Sequence, residues 1–216
     1  TLRHRCCPAC SVEKPIRICV RPDGLCVATC AACSFVYLPD IPSTDEIIQI
    51  YSEYARYKPN YANTEPFPSS IRLAWWTLRD ARLRILELFG GLRGCRLLEV
   101  GPSYGRFLST ARFAGATVEA VEVDEDASRH LTANGIPTTR TVNLRRRYDI
   151  ACVFQLIEHL ATPQDMISDI AQVLEPDGRL LLSLPNGGEA ALVGSSWVGF
   201  RVDFEHLQYF SIASIA

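Results

Sequence analysis

The chain has 216 residues, of which 48% are hydrophobic and 21% are charged, and its formal net charge is -2. This length and apolar content allow one domain with a full core and a small appendage. The near-neutral charge gives no general attraction to phosphate backbones, which argues against a nucleic acid as the substrate. No apolar run approaches the roughly 18 residues of a membrane span, and the start, Thr-Leu-Arg-His-Arg, has no signal-peptide core. We therefore expect a cytoplasmic protein that does not enter a membrane.

Most of the nine cysteines lie before residue 34, and four of them form two CxxC pairs. These are Cys7-Pro-Ala-Cys10 and Cys30-Ala-Ala-Cys33, with 19 residues between them. Each CxxC turn places two sulfurs on one side, and two such turns complete the tetrahedron of thiolates that zinc prefers. The spacing predicts a zinc ribbon in residues 1–40, with a structural zinc ion held by Cys7, Cys10, Cys30 and Cys33. Disulfide bonds are the alternative, which the absence of an export signal disfavours.

Residues 41–90 are predicted to form a helical linker and cap. The sequence Ser43-Thr-Asp-Glu46 is typical of a helix start with a capping acid. Four tyrosines then follow at helical spacing, and we expect them to share a face that packs on the main domain or lines the site: Tyr51, Tyr54, Tyr57 and Tyr61. Three prolines between residues 58 and 68 indicate a loop.

A single long helix is predicted next, from Ser69 to Phe89, and it ends at Gly90-Gly91. Its apolar residues recur on one face: Ile71, Ala74, Trp75, Leu78, Ile85 and Phe89.

The stretch Leu97-Leu-Glu-Val-Gly-Pro-Ser-Tyr-Gly105 joins an apolar run to an acid and two glycines four residues apart. It predicts a buried strand, a glycine turn and a helix that begins at Arg106, the first half of a nucleotide-binding βαβ unit. At Gly101 and Gly105 the backbone can approach a ligand because no Cβ stands in the way. A nicotinamide fingerprint needs a glycine where Ser103 stands, so the pattern is a different one.

Two further elements continue the alternation of strands and helices. Residues Thr117 to Val123 alternate like a strand, and Glu122 lies where a carboxylate can accept both hydroxyls of a ribose. A solvated acid at a strand end is the alternative interpretation of Glu122. The next acid, Asp124, is typical of a helix N-cap. From Tyr148 to Asn186 the sequence predicts a fourth strand, a helix and a fifth strand, with the ligand at the carboxyl ends of a parallel sheet.

Together these motifs resemble the class I S-adenosylmethionine (SAM) methyltransferases. The resemblance implies an α/β fold, a Rossmann-like doubly wound methyltransferase sheet in residues 91–190, with the zinc ribbon and helical linker before it. It also implies SAM as the cofactor, held by Glu99, Gly101, Pro102, Ser103, Gly105, Glu122, Val123 and Gln155.

Residues 191–216 are predicted to form the acceptor side of the site. The segment Glu205-His-Leu-Gln-Tyr-Phe-Ser211, together with the CxxC pairs, resembles zinc-ribbon methyltransferases that modify sugars and natural products. The resemblance implies that His206 takes a proton from the acceptor while Glu205 orients it or balances its charge. His159, in a Glu-His pair that is common in the superfamily, is a further catalytic candidate. A structural histidine stays the alternative at both positions.

Some residues depart from that branch, which leaves the acceptor open. The branch usually has a Tyr-His pair where this chain has Asp203-Phe204, and an acid before Pro185 is missing. C-methylation and O-methylation of a small molecule are therefore both retained, with Trp197, Phe200 and Arg201 as candidate walls of the acceptor pocket. The last six residues read as a helix start where the branch continues into two more strands, so we expect a fragment truncated before those strands.

Two competing functions stay open beside a small-molecule acceptor. One is RNA methylation, with the ribbon gripping RNA. The only basic cluster, at Arg140 and residues 145–147, is interpreted as a solvated edge or as a contact for an anionic substrate. The other is a non-catalytic docking protein, suggested by Ser103 and Gln155 at positions that are often glycine and acidic. The sequence does not define an oligomeric state.

Overall fold

The computed structural model describes residues 2–52, 69–201 and 206–215, and the chain divides into two compact units. The first unit comprises residues Thr1–Ile47, Gln155–Ser168 and Ser183–Ala216, and the second comprises Ile48–Phe154 and Asp169–Leu182. The first unit thus joins the cysteine-rich start of the chain to the segment that carries His206.

The described elements are numbered along the chain. The first part contains β1 (Leu2–His4), β2 (Pro15–Val20), β3 (Cys26–Cys30), β4 (Val36–Tyr37), β5 (Asp40–Pro42), α1 (Thr44–Ser52), α2 (Ser70–Arg79) and α3 (Ala81–Leu88). The middle part contains β6 (Arg96–Val100), α4 (Arg106–Phe113), β7 (Thr117–Val121), α5 (Glu125–Ala133), β8 (Thr138–Thr139) and β9 (Tyr148–Phe154). After a 3₁₀ turn at Ile157–His159 come α6 (Pro163–Val173), β10 (Leu174–Ser183), α7 (Ala190–Val193), two 3₁₀ turns at Gly194–Ser196 and Val198–Arg201, β11 (Gln208–Tyr209) and α8 (Ile212–Ile215).

In the second unit a five-stranded sheet has the order β10-β9-β6-β7-β8. The β6 strand pairs in parallel with β7 on one side and with β9 on the other, so the strand order reverses at β6. Apolar residues of β6, α4 and β7 form a continuous core that includes Leu97, Phe107, Leu108 and Val118. The predicted Rossmann-like parallel sheet is confirmed, and in such a sheet ligands bind at the carboxyl ends of the strands beside the reversal.

The first unit is built on antiparallel strands. Its main sheet has the order β11-β4-β3-β2, and β1 pairs with β5 separately. The β11 strand adds to the sheet through the pairs Gln208 with Tyr37 and Tyr209 with Val36. Phe35 and Phe210 meet edge to face at 5.2 Å, beside the buried Cys7 and Cys30. The end of the chain therefore completes a sheet that the first forty residues begin.

The prediction of one helix from Ser69 to Phe89 is wrong, because Asp80 divides it into α2 and α3. The backbone of Asp80 is extended (φ -75°, ψ 110°), and its carboxylate accepts a hydrogen bond from the N–H of Arg82 at 2.9 Å. Aspartate is a favourable N-cap, because its side chain accepts hydrogen bonds from the first free N–H groups of a helix. It is less favourable in the interior of a helix.

The apolar residues predicted to share a face of that helix are largely exposed in α2. Its residues Ile71 and Leu78 are 84% and 78% exposed, and no described residue of α2 is buried. In α3 the buried side chains are instead Leu83 and Leu86, which join the core of the second unit.

The predicted helix starts are confirmed where the structure describes them. Ser43 and Glu46 form a reciprocal capping box, with the Ser43 N–H and hydroxyl donating to the Glu46 carboxylate at 2.8 Å. Asp124 caps α5 by accepting the N–H of Ala127. Of the four spaced tyrosines only Tyr51, in α1, lies among the described residues, while Tyr54, Tyr57 and Tyr61 lie outside them. Within the described ranges no helix is long and apolar enough to cross a bilayer.

Candidate functional site

The turn between β6 and α4 has three residues with positive φ: Gly101 (+71°), Ser103 (+52°) and Gly105 (+71°). Gly101 donates its N–H to the carbonyl of Val121 at 2.8 Å, which ties the turn to the end of β7. At Gly105 a Cβ would lie 2.4 Å from Cδ2 of Leu131, so both the conformation and the packing require glycine. Ser103 adopts a conformation that costs a non-glycine residue about 1–2 kcal/mol, which the surrounding contacts must offset.

Glu122 supplies one of those contacts. It is 7% exposed and follows β7 directly. One carboxylate oxygen accepts the N–H of Ser103 at 2.8 Å, and the other accepts the N–H of Asp124 at 2.8 Å. Burial raises the pKa of Glu122, and the N–H donors act in the opposite direction. Each oxygen keeps a lone pair for a further donor, so this carboxylate suits the two adjacent hydroxyls of a ribose. Val123 follows it, half-buried.

Glu99 on β6 is buried to 3% exposure, and its Oε2 has no hydrogen-bond partner among the described residues. Burial raises its pKa to about 8, and the positive charge of Arg82 opposes that shift. Arg82 itself forms an ion pair with Asp80 and stacks over the rings of Phe107 and Phe154. A bound ligand can supply the hydrogen bond that such a buried oxygen lacks, so Glu99 is a candidate contact for a polar group of the ligand.

Gln155 directly follows β9 and is the second predicted cofactor residue with a positive φ that is not glycine (+49°). Its N–H donates to the carbonyl of Ser183 at 2.6 Å, and its side chain is exposed. Non-glycine residues in this conformation are uncommon and concentrate at functional sites.

The four predicted metal ligands come together in the first unit. The sulfurs of Cys7, Cys10, Cys30 and Cys33 lie within 4.8 Å of one another, with Cys7 to Cys33 and Cys10 to Cys30 both at 3.6 Å. Tetrahedral zinc with bonds of about 2.3 Å places its sulfurs about 3.8 Å apart, so the set fits that ion closely.

The two CxxC turns share one backbone geometry. Ser11 and Ser34, which directly follow the pairs, both have positive φ (+60° and +62°) and donate their N–H groups to the carbonyls of Cys7 and Cys30 at 2.8 Å. The N–H of Ala32 also donates to the sulfur of Cys30 at 3.4 Å. Burial raises the pKa of the Cys30 thiol, but the N–H groups of Ala32 and Cys33 outweigh it, so the net pKa is lowered. Donors aimed at sulfur favour the thiolate form that binds a metal.

A second cluster in the same unit contains two of the predicted catalytic residues. The rings of His159 and His206 lie 4.9 Å apart, and each residue is 8% exposed. Glu158 joins them, with its Oε1 3.8 Å from Nε2 of His159, and burial raises its pKa to about 7. Glu205, the third predicted catalytic residue, lies outside the described residues, as do Asp203 and Phe204.

The buried Arg21 and the partly buried Arg5 hold the backbone around His206. Arg21 donates through Nη1 to the carbonyl of His206 at 2.6 Å and to the hydroxyl of Tyr209 at 2.8 Å, and it forms a buried ion pair with Asp23. Arg5 donates to the carbonyls of Leu38, Ala161 and Leu207 at 2.7–3.0 Å. Two arginines that directly follow β1 and β2 thus fix the position of the segment that carries His206.

The aromatic residues upstream of His206 form a cluster of their own. The ring centroids of Trp197, Phe200 and Tyr209 lie 4.9–5.4 Å apart, edge to face, and Phe200 is 1% exposed. Phe200 is therefore a packing residue, while Trp197 remains a candidate wall.

The fold and the turn around Glu122 define a nucleotide-binding α/β domain, and comparison with known proteins identifies its family. The model of a family described as a methyltransferase domain matches residues 54–216, and the chain belongs to that family. Its fold is that of the class I SAM-dependent methyltransferases. Magnesium protoporphyrin IX methyltransferase from Synechocystis PCC 6803, solved with bound SAH, superimposes with a TM-score of 0.56 at 19% identity, over 80% of this chain and 85% of that one.

Curated relatives include ubiquinone biosynthesis O-methyltransferases. The protein from Escherichia coli O9:H4 (strain HS) is 28% identical over 161 residues, and that from Photorhabdus laumondii is 27% identical over 156 residues. These alignments cover 64% and 60% of this chain, and the chain spans 65% of the length of each relative.

Sequence reasoning missed Arg5, Arg21 and Arg82 as site residues, and it named Glu158 only as part of the Glu158-His159 pair. The partners of Arg21 lie 185 and 188 residues away in the chain, and no local pattern signals such a contact. Glu158 had a signal, because it stands next to His159 in the Glu-His pair.

Proposed function

We propose that this chain binds SAM at the β6–α4 turn and transfers a methyl group to a small-molecule acceptor. The observation that carries the proposal is the position of Glu122, whose carboxylate joins the glycine turn to the end of β7 through the N–H groups of Ser103 and Asp124. Family membership and the fold support the same cofactor. We infer that Glu122 accepts the ribose hydroxyls. The backbone of residues 101–105 faces the amino acid part, and Glu99, Val123 and Gln155 complete the contacts.

Bound SAM supplies an electrophilic methyl group on a sulfonium, and the protein must align the acceptor with it and accept the acceptor's proton. We propose that His206 accepts this proton, that Glu205 orients the His206 imidazole, and that His159 lies beside His206. The two buried rings at 4.9 Å support a shared role. The acceptor class is a sugar, a sugar nucleotide or a natural-product intermediate. The curated O-methyltransferase relatives support an oxygen as the methylated atom.

We further propose that Cys7, Cys10, Cys30 and Cys33 hold a structural zinc ion. The close fit of the four sulfurs to a tetrahedron supports it, and a site closed by four thiolates leaves no position for chemistry. The ion stabilises the sheet that β11 joins, and with it the segment around His206. A cytoplasmic location stays a prediction that agrees with reduced cysteines.

Calorimetric titration of the metal-loaded protein with SAM tests the cofactor assignment. We expect micromolar binding by the wild type, and at least a tenfold loss in Glu122→Gln, because the amide cannot accept hydrogen bonds through both of its terminal atoms. Glu125→Gln is the matched control, since Glu125 is an exposed acid three residues further along the chain. Absence of SAM binding by the wild type would favour a docking protein. Salt-dependent RNA binding by the same sample would favour the RNA alternative.

A methyl-transfer screen against sugar nucleotides and phenolic or catecholic precursors, comparing wild type with His206→Ala, tests the acceptor side. We expect turnover to fall by 100-fold or more, the usual contribution of a general base. Unchanged turnover on a true acceptor would remove His206 from the mechanism.

A further inference from the structure

Glu158 is a buried carboxyl group that no described residue satisfies. The residue is 2% exposed, and neither of its carboxyl oxygens has a hydrogen-bond partner among the residues that the structure describes. Buried polar groups are almost always paired, and an isolated carboxylate in a protein interior is costly. The structure therefore requires a reason for an acid at this position.

The groups nearest to this carboxyl are the two buried imidazoles. Oε1 of Glu158 lies 3.8 Å from Nε2 of His159, and one ligand atom from each of Glu158, His159 and His206 lies within 4.8 Å of the other two. The histidine rings are tilted by 59° at a centroid distance of 4.9 Å. The 3.8 Å between the Glu158 oxygen and the His159 nitrogen is too long for a direct hydrogen bond. It is short enough for strong electrostatic interaction between two charges that are shielded from water.

The backbone holds these three residues together independently of their side chains. The N–H of Leu207, next to His206, donates to the carbonyl of Glu158 at 2.8 Å. The side chain of Gln208 donates to the carbonyls of Ile157 and Leu160 at 2.8 and 2.7 Å, on either side of the Glu-His pair. The 3₁₀ turn and the His206 segment are thus joined by one main-chain hydrogen bond and two from the Gln208 side chain, which keep the backbone of the acid beside that of the imidazoles.

We propose that Glu158 is the counter-ion of the His159–His206 pair and stabilises the imidazolium that forms when the cluster accepts a proton. The inference rests on the proposed function. In the methyl-transfer step the acceptor's oxygen or carbon forms a bond to the methyl carbon while the carbon–sulfur bond breaks and its electron pair stays on sulfur. The acceptor's proton passes to His206, and the new positive charge lies beside the Glu158 carboxylate. Glu158 is a positioning residue in this scheme, because it acts through the histidines.

Other charged and titratable groups lie near the cluster or next to it in the chain. Arg21 and Arg5 add positive charge, and both direct donors to backbone carbonyls of the His206 segment. Asp23 is committed to its ion pair with Arg21, and Tyr209 accepts from Arg21 at a ring distance of 6.3 Å from His206. Burial raises the pKa of Tyr37, on the neighbouring strand β4, to about 12. Glu205 adjoins His206 in the chain.

The test is a proton NMR titration of the histidine rings in the metal-loaded protein, without SAM or acceptor. The chain has only four histidines, so His→Gln variants assign every resonance. In Glu158→Gln we expect the pKa of His159 or His206 to fall by about one unit or more, because an opposite charge within about 4–6 Å favours the protonated ring by that amount. Glu158→Asp, which keeps the charge, should restore most of the shift.

A matched control exists on the surface of the same unit. Glu13 lies 3.4 Å from Nε2 of His4, but their side chains are 64% and 47% exposed. Glu13→Gln removes the charge of this exposed pair, which solvent screens. Unchanged resonances of His4 and His130 in Glu158→Gln show that the variant is folded.

Three results would overturn the proposal: shifts in Glu158→Gln as small as those of the surface control, a rise in the pKa of both buried histidines, or a second equivalent of divalent metal per chain that this variant loses. The last result would make the cluster a metal site. Because the titration requires neither SAM nor acceptor, it is independent of the calorimetry. If the wild type failed to bind SAM while Glu158→Gln still lowered the pKa of a buried histidine, the proposed function would be wrong but the ion pair would be supported.

Discussion

Replacing Arg21 by methionine removes a buried guanidinium from the centre of the first unit. The side chain of Arg21 is 0% exposed and that of its partner Asp23 is 2% exposed. The variant removes the Arg21 partner of a buried ion pair, and the loss of one member of such a pair typically costs about 3–5 kcal/mol. It also removes the donor that Arg21 supplies to the His206 carbonyl and the Tyr209 hydroxyl. We therefore expect the free energy of unfolding to fall by about 3–5 kcal/mol.

The measurement is urea unfolding of the metal-loaded protein, followed by tryptophan fluorescence, to which Trp197 contributes with Trp75 and Trp76. Arg21→Met with Asp23→Asn should cost clearly less than the sum of the two single variants, because the double variant buries no lone charge. Arg96→Met is the control, since Arg96 pairs with Asp149 and Glu175 at a 47% exposed side chain and should cost under about 1 kcal/mol. A loss below about 1 kcal/mol in Arg21→Met would refute the reasoning.

Three further predictions concern other parts of the chain. Gly105→Ala should destabilise by about 1–3 kcal/mol and weaken SAM binding, because its Cβ meets Leu131 at 2.4 Å. Gly24→Ala, with φ +85° and open space around it, should lose only about 1 kcal/mol in the same melts, and equal effects would contradict the packing argument. Native mass spectrometry should show one zinc per chain in the wild type and none in Cys30→Ser, and metal-free wild type of equal stability would contradict a structural role. Glu99 has its pKa raised to about 8 in the folded protein. The folded state then holds a proton that the unfolded state has lost between about pH 4.5 and pH 8, so stability should fall with rising pH in that window, by at most about 1.4 kcal/mol per unit. Urea melts across that range should show a shallower slope for Glu99→Gln than for the wild type.

The parts of the fold that the sequence predicted are those encoded within a few residues. The glycine spacing at Gly101 and Gly105 requires positive φ, and an acid such as Asp124 before a helical pattern caps it whatever lies elsewhere. The CxxC spacing brought the four cysteines together for the same reason, since each turn is local and a hairpin joins them.

The parts that the sequence did not predict depend on partners far away in the chain or on competition between two local signals. At Asp80 a good N-cap outweighed an otherwise continuous helical pattern. The exposed Ile71 and Leu78 show that helical periodicity identifies a face but does not supply a partner for it. Arg21 and Arg5 are ordinary basic residues in sequence, and only the fold reveals that both are bound to backbone carbonyls near the end of the chain.

The joining of β4 to β11 also has a consequence for how the protein is made. Arg5 and Leu207 are hydrogen-bonded across 202 residues, so the strands of the first forty residues must wait until Tyr209 has been synthesised before their sheet is complete. Contacts of such large sequence separation form slowly. The buried histidines should then be among the last groups to reach their native places during synthesis, and a chain released early would hold its cysteines without a finished catalytic cluster.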